Sequence, residues 1–155
     1  NRDIKYSLAD IPLPNGVLRV DKVSVPNPTS IRLGHYTLPE NDGTPVKEST
    51  SAKVPGATII SNGEYSLAMV NLTDWNKTSV LHPEGIHPVS STCGLIMNEK
   101  QVQKEEVMVT LMLWKKGKKS FSKKELTPVK SIKVSDDKKS VEIVMADKTV
   151  KKVTF

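Results

Sequence analysis

Two imidazoles and a carboxylate fall within six residues in His82-Pro-Glu-Gly-Ile-His87. Imidazole titrates near neutrality, so His82, Glu84 and His87 have the chemistry to move a proton or to hold a metal ion. Their spacing matches no helical metal motif, and Pro83 with Gly85 makes the segment an irregular turn. An ordinary structural loop is the simplest reading, followed by a place at a substrate cleft or domain junction, with metal binding last. These three are therefore weak catalytic candidates, and no metal or other cofactor is expected.

Trp75 sits in Thr73-Asp-Trp-Asn-Lys-Thr78, a polar stretch read as a turn. An indole there can stack on a sugar ring or dock another domain, or it can plug the end of a core. Six lysines (Lys115, Lys116, Lys118, Lys119, Lys123 and Lys124) fall within ten residues and concentrate the net charge of +6. Such a run is usually a solvated loop. Its functional reading is a surface for a polyanion, to which Trp75, Lys115, Lys116, Lys118 and Lys119 would be the substrate-binding candidates. An acidic polysaccharide fits better than nucleic acid, because the run has no Arg and only Phe121 to stack on a base. His35 beside Tyr36 reads as core or edge packing. Cys93 is the single cysteine, so no intramolecular disulfide forms, and it reads as a small buried apolar residue. Asn71-Leu-Thr73 and Asn76-Lys-Thr78 match the glycosylation triplet, which is too short to weigh. There is no glycine-rich phosphate loop and no nucleophile elbow.

The elements that must position these groups are strands. Glu106-Val-Met-Val-Thr-Leu-Met-Leu-Trp-Lys-Lys116 puts Val107, Val109, Leu111 and Leu113 on one face and Met108, Thr110, Met112 and Trp114 on the other. Both faces are apolar, which predicts a central strand enclosed over 107–114, with Trp114 in the core. Before it come short extended pieces at 16–25, 30–36, 57–61, 64–72, 79–82 and 91–97, with an Asn62-Gly63 hairpin turn. After it, 128–135, 140–145 and 149–155 alternate as a three-strand meander with lysines on its wet side. Residues 1–56 hold seven of the ten prolines and form Pro-rich strands and loops, with 39–56 as a long polar loop. Residues 57–155 form the core of the sandwich. The prediction is an all-β fold, an antiparallel two-sheet β-sandwich of about ten short strands in one domain over 1–155. A chain of 155 residues suffices for one real core. No apolar run reaches the roughly 20 residues of a membrane span. The opening Asn1-Arg2-Asp3 without Met reads as a mature or trimmed fragment.

The C-terminal third carries a resemblance. A Val-Thr-Leu-Met-Leu-Trp strand is followed by a Lys/Gly break, then Pro-Val-Lys-Ser-Ile, Ser-Val-Glu-Ile and a final Lys-Lys-Val-Thr-Phe. This order resembles the β-sandwich that closes heparinase II/III-like and related bacterial polysaccharide lyases. Ser-Asn-Gly-Glu-Tyr-Ser-Leu, the Trp75 turn and His-Pro-Glu-Gly-Ile-His-Pro suit the same sandwich, so the likeness covers about residues 57–155. It implies a secreted or periplasmic enzyme in which a helical toroid precedes the sandwich and an acidic chain binds between them. In such enzymes basic and aromatic groups neutralise the uronate carboxylate while a His or Tyr removes the adjacent proton. Only His82 or His87 would carry over, and neither lies in a motif that fixes the assignment. The first 56 residues match nothing in that family.

The resemblance favours an accessory β-sandwich, not catalytic alone, with an upstream catalytic domain in the same polypeptide and an acidic polysaccharide as ligand. A stand-alone carbohydrate-binding or surface-interaction module is the rival, and a small complete enzyme using His82, Glu84 and His87 is the third reading. They differ in what they predict: a large apolar patch, an aromatic platform beside a groove, or two His rings converging on one cavity.

Overall fold

A computed structural model describes residues 3–51, 53–82, 93–117 and 120–155. The central strand is β9 (Glu105–Lys116), and its alternation decides the architecture. Val107, Val109, Leu111 and Leu113 enter one apolar cluster, while Met108 and Met112 enter two others on the opposite face. Two apolar faces require two covering layers. Burying a side chain of this size stabilises the fold by about 1.5–3 kcal/mol, so this strand alone orders much of the interior.

Twelve strands appear among the described residues, all paired antiparallel in three sheets. The large sheet holds β1 (Lys5–Leu13), β2 (Gly16–Ser24), β9, β6 (Tyr65–Asn71), β5 (Ala57–Ser61) and β4 (Lys47–Thr50), in that order. A sheet of β10 (Val129–Val134), β11 (Ser140–Met145) and β12 (Val150–Thr154) shares one cluster with it through Val141, Ile143, Met145 and Val153. A sheet of β3 (Thr29–Pro39), β8 (Cys93–Val102) and β7 (Lys77–Leu81) covers the opposite face through Ile31, Leu38, Ile96 and Val102. The all-β antiparallel sandwich is as the alternation predicts. The doubly apolar β9 adds a third layer to the two expected, because each of its faces takes its own cover.

Edges are protected by composition. β4 is fully exposed and carries Lys47 and Glu48, and β1 carries Pro12, which an outer strand tolerates. The β1–β2 hairpin brings Leu13 opposite Gly16, and a Cβ on Gly16 would run into the backbone carbonyl of Met112. Glycine there lets β2 approach β9. At the 62–65 turn only Gly63 takes positive φ; Asn62 instead uses its side chain, whose Oδ1 accepts from the amides of Glu64 and Tyr65 at 3.0 and 2.8 Å.

Several extended segments go beyond the pattern. β1 and β4 lie in the Pro-rich region, and β8 runs on through Asn98–Val102, a stretch read as a polar connection. A four-residue helix, α1 (Lys123–Leu126), interrupts the lysine run. Ser122 and Glu125 form a capping box at its start, and Leu126 and Phe121 are buried beneath it. The expected enclosure of 107–114 holds through Leu113 and fails at Trp114, which is 43% exposed. Among the described residues the covering sheet packs on Met112 and does not reach Trp114.

Candidate functional site

Between the large sheet and the β3–β8–β7 sheet the interior divides. One apolar cluster gathers Leu38, Ile60, Met69, Ile96 and Met112; the other gathers Val23, Val25, Ile31, Val102 and Met108. On every strand that contributes to both, the residue between the two is polar. Asp21 and Arg19 lie between Val17 and Val23 on β2, Thr110 between Met108 and Met112, and Asn98 between Ile96 and Val102. His35 lies between Leu33 and Leu38 on β3. A polar belt therefore crosses the layer.

A bulge places His35 in it. Gly34 pairs with Met97 but Thr37 with Leu95, so β3 spends two residues, His35 and Tyr36, opposite one on β8. Side chains 31, 33 and 35 face inward before the bulge and Leu38 after it, and such irregularities re-aim side chains. The ring of His35 then meets Trp75 edge to face, centroids 5.9 Å apart. Both ring nitrogens are buried without a hydrogen-bond partner, and burial lowers the imidazole pKa to about 4, assisted by the positive charge of Arg19. His35 is neutral at pH 7.

At the open end of the belt, the Tyr6 hydroxyl donates to Asp21 at 2.5 Å, and Arg19 donates through Nε and Nη2 to both oxygens of Asp10 at 3.1 and 3.2 Å. Asp21 is fully buried, and that burial raises its pKa against the lowering effects of Tyr6 and Arg19. Burial and the Asp21 carboxylate push the Tyr6 hydroxyl well above its ordinary range. At the closed end, Asn71, Thr78 and Asn98 satisfy one another: Asn71 donates to Thr78 at 2.8 Å, Thr78 to Asn98 at 2.6 Å, and Asn98 back to Asn71 at 2.9 Å. That network occupies the side chain of Asn71 in the first glycosylation triplet. Asp21 Oδ2, Thr110 Oγ1 and the Trp75 indole N–H remain buried without partners, each costing about 1–3 kcal/mol relative to a paired group. The belt holds aromatic, imidazole, guanidinium and carboxylate groups in one layer. Its Tyr is held protonated and its His is a weak base, so it is suited to hydrogen bonding rather than to removing a proton at neutral pH.

The residues singled out in the sequence go to other places. His82 is exposed after the end of β7, while Glu84 and His87 lie outside the described residues, as do Lys118 and Lys119. No group of three His, Cys, Asp or Glu side chains suited to a metal occurs among the described residues. Trp75 is half-buried against the cluster of Val23, Val25, Ile31, Val102 and Met108, its N–H turned away from solvent. Lys115 is held by Glu125 at 2.5 Å, lies 5.0 Å from the Phe121 ring and donates to the Ser120 carbonyl at 3.2 Å. That lysine and the Ser122 contacts hold the Glu125 carboxyl down at about 2. Lys116 is exposed, and Cys93 is half-buried. Trp114, expected in the core, is exposed at 43% and its neighbour Tyr65 at 39%. An apolar cavity of about 530 Å³ opens between Leu13, Pro14, Leu113, Lys124, Thr127 and Met145.

Tyr6, Asp10, Arg19 and Asp21 were missed as site residues. Their signal is in the sequence: Val17, Arg19, Asp21 and Val23 share one parity, and two charges inside an apolar set mark a buried polar position.

No family model and no curated protein sequence matches the chain. Among solved structures, the whole chain aligns with a part of heparan sulfate lyase HepC from Pedobacter heparinus, with a TM-score of 0.53 and 13% sequence identity. The alignment covers 100% of this chain and 26% of that one, so the chain spans about a quarter of the lyase and is similar to it in fold.

Proposed function

We propose that the chain is an accessory β-sandwich of a secreted or periplasmic polysaccharide-degrading enzyme, supporting or lining a cleft for an acidic polysaccharide. The observation that carries this reading is the fold likeness along the entire chain to a part of a heparan sulfate lyase. The net charge of +6 suits a polymer of uronates or sulfates. The reacting groups would come from a catalytic domain upstream in the same polypeptide, since the belt offers no base poised near neutrality. The test is titration of the chain with heparan sulfate and with a neutral glucan at low and raised salt. Binding to the acidic polymer that weakens with salt is expected. Indifference to every uronate polymer would remove the polyanion from the reading.

One observation favours a second reading, a stand-alone carbohydrate-binding module: the exposed pair Trp114 and Tyr65. An aromatic surface of that kind can hold sugar without any catalytic partner. Whether the coding sequence continues far upstream of Asn1 separates the two, because an accessory domain requires that it does.

A further inference from the structure

Three side chains at the end of β9 share one face. Trp114 and Lys116 have the parity of Met108 and Met112, and Tyr65 has the parity of Leu67 and Met69 on β6. Leu67 pairs with Trp114 and Tyr65 with Lys116, so the two aromatic residues are diagonal neighbours across the strand pair, with the lysine directly opposite Tyr65. Among the described residues the covering sheet packs on Met112, Leu67 and Met69, while Trp114 and Tyr65 are exposed at 43% and 39%.

We infer that Trp114 and Tyr65, flanked by Lys116, form a stacking platform for one sugar ring of an acidic polysaccharide. This deepens the proposed function and rests on it. A pyranose presents an apolar C–H face that packs on an aromatic ring, and its carboxylate or sulfate then lies within reach of an ammonium group beside the ring. Lys116 is suited to that role because no carboxylate pairs with it among the described residues, whereas Lys115, on the other face, is taken by Glu125. Hydrogen bonds hold the backbone beneath the platform. The Trp114 amide donates to the Asn15 carbonyl at 3.0 Å, and the Gly117 amide donates to the Glu64 carbonyl beside Tyr65. Aromatic side chains on a fixed backbone lose little freedom on binding. Lys116 and Glu64, both exposed, border the rings.

The test measures heparan sulfate binding by Trp114→Ala, Tyr65→Ala, Trp114→Phe and Lys116→Ala, each checked for a cooperative melt well above the assay temperature. Trp114→Ala should weaken binding about tenfold or more, with Tyr65→Ala somewhat less and Trp114→Phe largely restored. Lys116→Ala should reduce the salt dependence, and Glu64→Gln should tighten binding. Bound polymer should also shield the exposed indole from a soluble quencher. If the wild type binds the polymer and Trp114→Ala and Tyr65→Ala bind equally well, the platform is wrong while the polysaccharide reading stands. If the wild type binds no acidic polymer, that reading falls and the platform with it. Concentration-dependent burial of Trp114 in a dimer, without polymer, would also overturn the platform.

Discussion

Trp75 and Trp114 reverse the expectations set by their neighbours. Trp75 stands among Asp74, Asn76 and Lys77, yet its N–H is buried and its ring packs on His35 and the Met108 cluster. Trp114 ends the most apolar run in the chain, yet 43% of it meets solvent. Local hydrophobicity sets which face of a strand turns inward, but the reach of the opposing layer sets where inward stops being dry. The polar belt and the open corner are thus two products of one interface between sheets, the first at its middle and the second past its end.

That contrast can be broken at several points. The largest effect is expected along β9 itself: Leu111→Ala, at a fully buried position, should cost about 3–4 kcal/mol in urea unfolding, while Trp114→Ala three residues on should cost under about 1 kcal/mol. Equal losses would mean that the corner is closed.

Next is acid sensitivity. The His35 pKa in the folded chain, about 4, lies below the ordinary 6.5, so the unfolded chain takes up the proton first. The stability this group contributes is intact above pH 6.5 and is lost as pH falls from 6.5 to about 4, by up to about 3 kcal/mol. Asp21 acts in the opposite sense: its raised pKa adds stability as pH falls through it. His35→Phe should abolish the loss and leave the Asp21 gain visible in melting curves between pH 7 and 4. A variant that kept the wild-type slope would place the titration elsewhere.

Trp75→Ala should destabilise by about 2 kcal/mol and blue-shifted fluorescence should disappear with it, leaving the red-shifted emission of Trp114. Matching spectra from Trp75→Ala and Trp114→Ala would erase the distinction between the two rings. The smallest effect is expected at Ser122→Ala, which removes the cap of α1 and should cost about 0.5–1 kcal/mol, with the Lys115–Glu125 pair loosened. It should leave polymer binding at Trp114 intact.

Much of the layout was legible. The two apolar parities of β9, the meander of β10 to β12 and the turn at Gly63 follow from period-two alternation and turn chemistry. In the meander, Lys138 and Lys148 take positive φ at the two expected turns. The strands that escaped notice are those whose partners lie far away. β1 is an edge strand dominated by exposed residues, and β8 continues through Asn98, Glu99 and Lys100 because Asn98 joins the belt and Glu99 pairs with Arg32 at 3.1 Å. The bulge at His35 has no signature in composition, since it depends on the register with β8.

Alternation and charge are local properties that each segment carries alone, so the order of residues already dictates an all-β chain, a β9 covered on both sides and a gathering of positive charge after it. The tertiary structure decided that His35, Asp21 and Thr110 share a belt and that Trp75 is covered while Trp114 is bare. Those outcomes depend on sheet register and on where one layer ends above another, and residues distant in the chain fix both.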